Sequence, residues 1–218
     1  MNPVMARDVV MVAEPVRSAG LLRRIASAVS GVHLPETLAA PTHDEIMQLR
    51  HLESIRTATG IEHAKVLGHD GAMAMWLRHA SELRHAEPGR VRGWAATGSM
   101  IAAVGTALLA STIAKAAYTR PRPFVEDGIS LALAGAPVGS SFPSSHAAVS
   151  RAAAESLASF ASASHGAEML SDAARVAVSR VYTGAHFPSD VRAGAEIGSS
   201  VARRISGAVQ RLLGRIGR

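Results

Sequence analysis

The sequence predicts an all-α protein, and three observations carry that expectation. Hydrophobic residues make up 48% of the 218 residues but aromatics only 4%, and much of the apolar share is alanine, which suits closely packed helices. Apolar residues recur at three- and four-residue steps, the period of a helix with one buried face. Helix start signals stand at the heads of several of these stretches. The length allows one domain with a sizeable core and a small N-terminal extension. Gly31–Pro41 is the strongest break, so the chain divides into a helical extension over 1–41 and a main domain over 42–218.

From the N-terminus, 4–30 places Val9, Val12, Val16, Leu21, Leu22, Ile25 and Val29 at helical spacing, interrupted by Arg7, Arg17, Arg23 and Arg24. This predicts a pair of amphipathic helices that cover the core or present a partner-binding surface. The region lacks the uninterrupted apolar run of a secretory leader. Thr42 with Glu45 three residues on is a capping box. A helix should start there, run through Ile46, Leu49, Leu52 and Ile55, and stop near Gly60. Residues 61–67 are ambiguous, and 71–86 reads as a helix carrying Met73, Trp76, Leu77 and Leu83. His43, His51, His63, His69, His79 and His85 fall in this region, but their spacing forms no metal-ligand pattern. They are expected to be surface or core histidines.

Residues 93–114 carry no formal charge and have the length of a transmembrane segment, though they are rich in small residues. Small residues bring helices close in a soluble bundle as well as in a membrane. Thr119-Arg120-Pro121-Arg122-Pro123-Phe124 ends that helix and holds the chain extended. The stretch 124–142 then has the length of a lid or specificity loop. Pro143 is expected at the first position of the next helix, Ser171 at the N-cap of the one after, and 191–213 forms the last.

The chemistry gathers in three places. In 179–190, Pro188 suits a first helical turn, and Asp190 in the same turn is favoured by the helix dipole. From there Asp190 can reach back to His186. A carboxylate that accepts the Nδ1 proton leaves Nε2 with an outward lone pair, a nucleophile or a base. Lys115, Arg122 and Arg180 supply cations. Ser144 and Ser145 stand at a helix N-terminus, where unpaired N–H groups cradle anions, and His146 is a second imidazole able to act as an acid. Phosphoryl transfer needs these parts: donors for the equatorial oxygens, an in-line nucleophile and a proton for the leaving oxygen. No carboxylate cluster in the sequence could hold Mg²⁺ or Ca²⁺, so the expected site uses no metal and no cofactor.

In order, Lys115-x6-Arg122-Pro123, Pro143-Ser144-Ser145-His146 and Ser179-Arg180-x5-His186-x3-Asp190 resemble the three-part signature of the type 2 phosphatidic acid phosphatase (PAP2) superfamily. That superfamily includes bacterial class A acid phosphatases and vanadium haloperoxidases. The resemblance implies a helical bundle of that type and a metal-independent phosphatase. In it His186 would form a phosphohistidine, oriented by Asp190. His146 would protonate the leaving group and then activate water. Lys115, Arg122, Arg180, Ser144 and the Ser145 backbone N–H would bind phosphate. Where the family commonly has glycine, this chain has Ser145, which is harmless only in a helical backbone. Arg120-Pro121 duplicates Arg122-Pro123, and Arg120 is expected to support the site or touch a substrate tail.

The formal charge of +6 and the pI of about 10.9 favour anionic partners. The expected substrate is a phosphate monoester or diphosphate, lipid or small. One alternative is a vanadium haloperoxidase, with vanadate as cofactor rather than inhibitor. The other is a basic protein that binds anionic membrane or nucleic acid without catalysis, which explains the charge but not the ordered histidines. Nucleic acid is therefore not an expected partner. Arg151, Glu155, Arg192, Glu196, Arg203 and Arg204 fall within the later helices. Charges at helix centres cost about 2.5–3.5 kcal/mol each in a bilayer. They predict a soluble, cytoplasmic protein whose membrane contact is peripheral. The absence of cysteine suits a reducing compartment. The apolar N-terminal pattern points to a homo-oligomer.

Overall fold

The computed structural model describes residues 13–68, 71–86, 91–125, 133 and 138–216. Among them are eight helices: α1 (Ala13–Ser30), α2 (His43–Ser54), α3 (Ala58–Gly68), α4 (Gly71–Ala86), α5 (Val91–Ala117), α6 (Ser145–Ala158), α7 (Ala163–Tyr182) and α8 (Pro188–Ile216). Helices α5, α6 and α8 pack on one another at the centre. Helix α1 lies along α5 and α8, α7 along α6, and α3 against α7.

Small side chains set the central spacing. Ala103, Ala107, Ala110 and Ala114 of α5 meet Ala148 and Ala152 of α6 and Ile197, Val201 and Ala202 of α8 in one cluster. Gly194 and Gly198, one turn apart on α8, let its backbone touch α6. A Cβ at Gly194 would stand 2.2 Å from the Ser144 carbonyl oxygen, and one at Gly198 would stand 2.2 Å from that of Ala148. Backbone-close crossing needs residues without side chains at the contact. A second cluster around Trp76, Met100, Leu157 and Met169 joins α4, α5, α6 and α7.

Several helix limits differ from the sequence expectation. The Thr42–Glu45 capping box forms and starts α2 as predicted. The helix stops at Ser54, before Gly60, because Thr57 caps a new helix by accepting from the Gly60 N–H at 3.1 Å. The ambiguous 61–67 therefore belongs to α3. Ser171 lies inside α7, not at its start; the N-cap is Ser162, whose hydroxyl accepts from the His165 N–H. Pro143 precedes the N-cap Ser144 and is joined to Phe142 by a cis peptide, so α6 begins two residues later than expected. The expected helix over 4–12 and most of the 124–142 loop lie outside the described residues.

Helix α5 is long and apolar enough to cross a membrane, and 39% of its apolar window is buried in the fold. Its outward side leaves Val91, Trp94, Ile101, Leu108 and Leu109 exposed. The charges that argued against spanning are partly paired. Glu155 accepts from Arg151 at 2.9 Å, Ser199 at 2.5 Å and Arg203 at 3.1 Å, across α6 and α8. The expectation of a plain soluble surface thus meets an uncharged exposed face on α5, which the alanine content of the segment had concealed.

Candidate active site

The site forms where α5 and α7 end and α6 and α8 begin. At the end of α7, Gly184 adopts a positive φ of 70°. The Gly184 N–H reaches the Val181 carbonyl at 2.9 Å and the Ala185 N–H reaches that of Arg180 at 3.0 Å, the two bonds of a Schellman cap. This turn brings His186 back to Arg180, whose carbonyl also accepts from the His186 N–H at 3.2 Å. Helix α8 then opens with Pro188. Asp190, in its first turn, accepts from the Phe187 N–H at 2.9 Å, the reaching-back half of a capping box.

His186 is 3% exposed. Its Nδ1 lies 3.7 Å from Asp190 Oδ2 and has no hydrogen bond, and its Nε2 lies 3.4 Å from Arg122 Nη1. Burial, opposed by Asp190 and aided by Lys115 and Arg122, pulls the imidazole down to about 4. The ring is therefore neutral near pH 7.

Lys115 and Arg180 both lie close enough to Arg122 to feel its charge. Arg122 donates from Nη1 to the Ala185 carbonyl at 2.9 Å. Lys115 Nζ donates to the Ser140 carbonyl at 2.9 Å, and burial, with Arg122 nearby, lowers its ammonium to about 8. Arg180 is buried, and its Nε and Nη1 have no hydrogen-bond partner. Burial lowers both guanidinium groups from their ordinary value. Among the described residues, no carboxylate lies within ion-pair distance of Lys115, Arg122 or Arg180; the nearby Asp190 and Glu45 take Arg120. The site is a buried positive cluster around a neutral imidazole.

Ser144 caps α6, and its N–H donates to the Asp190 carbonyl at 2.9 Å, joining the two helix starts. Ser145 sits in the first turn of α6 with helical backbone, so the serine in place of glycine is unstrained; its hydroxyl accepts from Ser111 at 3.1 Å. His146 is exposed on that turn. It lines a groove of about 240 Å³ with Ala72, Met73, Trp76, Leu108 and Val149.

Three contributors escaped the sequence reading: Ser141, Glu45 and Gly68. A fourth, Arg120, was expected from the duplicated Arg-Pro to support the site or touch a substrate tail, and it takes the supporting place. It donates to Asp190 Oδ1 and to Ser189 Oγ, each at 2.8 Å, and its guanidinium lies 4.7 Å from the Phe187 ring centroid. It is a partner of the carboxylate, not a tail contact. Ser141 donates to Asp190 Oδ2. Burial would raise Asp190, but His186, Ser141, Arg120 and the Phe187 N–H outweigh it and hold the carboxyl below its usual range. Glu45, read only as a capping residue, accepts from the Ser189 N–H at 2.7 Å and steadies the start of α8. Gly68 closes α3 against Arg180, where a Cβ would fall 1.7 Å from Nη1. No local pattern marks Ser141 or Gly68, since both act across the fold.

The sequence model of the PAP2 superfamily matches residues 96–213. The fold is similar to the solved structure of a transmembrane PAP2 type phosphatidylglycerolphosphate phosphatase from Bacillus subtilis. The TM-score is 0.57 at 20% identity, over 90% of this chain and 96% of that one. No curated protein matches the chain.

Proposed function

The chain belongs to the PAP2 superfamily and is a phosphoric ester hydrolase of that type; from that premise we propose that it works without metal, through a phosphohistidine on His186, on the phosphate of an amphiphilic molecule. The observation that carries the mechanism is the neutral His186 ring with Nε2 beside Arg122, inside a pocket whose cations lack carboxylates. A phosphate there meets Lys115, Arg122 and Arg180 at its equatorial oxygens. These cations offset charge that spreads in the transition state.

In the first step the Nε2 lone pair forms the N–P bond as the P–O bond to the leaving group breaks. His146 gives its proton to that oxygen. In the second step His146 takes a proton from water, the water oxygen bonds phosphorus, and the N–P bond returns its electrons to His186. The products are the alcohol and inorganic phosphate, and both histidines regain their starting forms. Asp190, held by Arg120 and Ser141, keeps the ring oriented and stabilises charge on it while the N–P bond exists.

Two surface features support an amphiphilic substrate. The groove beside His146, the residue given the leaving-group proton, is mostly apolar. Leu108, which lines it, belongs to the exposed apolar side of α5. An acyl or prenyl chain could lie there while its phosphate enters the pocket, with the α5 face against a lipid surface. The phosphatidylglycerolphosphate phosphatase of similar fold fits such a substrate class.

The test is phosphate release with excess chelator, for wild type and His186→Ala, from a long-chain lipid phosphate in mixed micelles and from a short soluble ester. Release by wild type alone, faster from the long-chain substrate, supports the reading. Equal rates on both substrates would remove the amphiphile, and release by His186→Ala would remove the nucleophile.

A further inference from the structure

Helices α4 and α7 hold a second cluster of chemistry, away from the phosphate pocket. His79 is fully buried between them, 86 positions before His165 and facing it. Its Nε2 lies 2.9 Å from Asp172 Oδ2. A carboxylate at that distance takes the proton of Nε2. The other nitrogen of the ring, Nδ1, then carries a lone pair.

That lone pair faces two more donors. His79 Nδ1 stands 3.2 Å from His165 Nε2 and 3.3 Å from Glu82 Oε2, and His165 Nε2 stands 3.4 Å from the same carboxylate oxygen. The three atoms form a nearly equilateral triangle. A tetrahedral Zn²⁺ with bonds of about 2.0–2.1 Å separates its ligands by about 3.3–3.4 Å. The side chains therefore already span one face of such a tetrahedron. His79 and Glu82, three residues apart, share one side of α4, while His165 comes from the first turn of α7. Asp172 behind His79 is the outer carboxylate that a metal-bound imidazole commonly has.

We propose that His79, Glu82 and His165 bind one Zn²⁺, with a water at the fourth position and Asp172 orienting His79. Nitrogen and carboxylate donors in this geometry suit zinc, and Glu82 and His165 reach the surface, so the ion has a path of entry. The site ties α4 to α7. His165 precedes Arg180 by fifteen residues of helix, roughly 22 Å, so the metal acts on stability and not on the phosphoryl step. Sequence spacing concealed the site, because helix packing alone brings His165 to His79.

The test uses the full chain without an affinity tag. Co²⁺ is titrated first, then displaced with Zn²⁺, and melting is followed alongside. Wild type should take up one equivalent, show the intense visible bands of tetrahedral Co²⁺, and melt at a higher temperature with Zn²⁺. His165→Ala and Glu82→Gln change groups that are not buried. Each should bind at least tenfold more weakly, lose the tetrahedral spectrum and keep its phosphatase turnover. Uptake of equal strength in wild type and both variants would assign the metal to the other histidines and overturn the site. Weak octahedral bands in wild type at one equivalent would do the same.

Discussion

Nε2 of His186 and Nη1 of Arg122 stand 3.4 Å apart in the buried heart of the site. The ring turns this nitrogen to a cation and the other to Asp190. An anion that reaches the lone pair on Nε2 therefore also meets the guanidinium of Arg122 beside it. Burial makes protonation of His186 unfavourable, and the added charge would also face Lys115 and Arg122.

Replacing His186 and replacing Asp190 should have different consequences. His186→Ala removes a group with few bonds and should lower turnover at least ~10³-fold while leaving the melting temperature near that of wild type. Asp190→Asn weakens the hold on Arg120, Ser141 and the Phe187 N–H. Breaking a buried ion pair costs about 3–5 kcal/mol, so this variant should lose both activity and stability. Thermal melts beside single-turnover rates check the contrast.

The pH profile of kcat/KM, which reports the free enzyme, should have an acid limb set by His186 and an alkaline limb to which Lys115 and the proton that His146 donates both contribute. Below about 4 the His186 lone pair is lost to protonation. Above about 8 Lys115 gives up its proton, and with it part of the attraction for phosphate. Lys115→Arg keeps the charge to higher pH and should move the alkaline limb upward. An unmoved limb would show that another group sets it.

Acid stability should carry the mark of His186. Its pKa is about 4 when folded against 6.5 as a free side chain, so the unfolded chain binds the extra proton between those values. Stability is then full above pH 6.5 and is lost as pH falls toward 4, by about 3 kcal/mol from this group. Denaturant melts across that range should show the slope in wild type and a shallower one in His186→Ala.

Gly68→Ala probes the notch that holds Arg180. The added methyl would meet Nη1 at 1.7 Å, and a guanidinium at the end of a flexible stem can swing away. The fold should therefore survive with little change in melting temperature. Phosphate binding should weaken, raising KM about tenfold as one charge-assisted contact is lost. A fall in melting temperature with KM unchanged would contradict this placing of Arg180.

The helices, and the order of the three motifs, were legible because both are written locally. Thr42 with Glu45 makes a capping box within four residues, and Pro188 with Asp190 opens α8 within three. Helix ends were less legible where two signals competed. Ser171 suits an N-cap by type, but the structure gives that place to Ser162, nine residues earlier, through its bond to the His165 N–H.

Residue types and spacing by themselves determined an all-α chain with Lys115, Arg122, Ser144, Arg180, His186 and Asp190 in an order suited to phosphate. Tertiary structure alone decided that Arg120 belongs to Asp190, that Gly68 makes room for Arg180, that α5 keeps an apolar side outward, and that His79 meets His165. The reason is physical. A helix repeats over a few residues, so its faces and caps can be read along the chain. Which faces meet depends on how closely backbones approach, here through Gly194 and Gly198 against α6, and that contact brings together groups far apart in sequence.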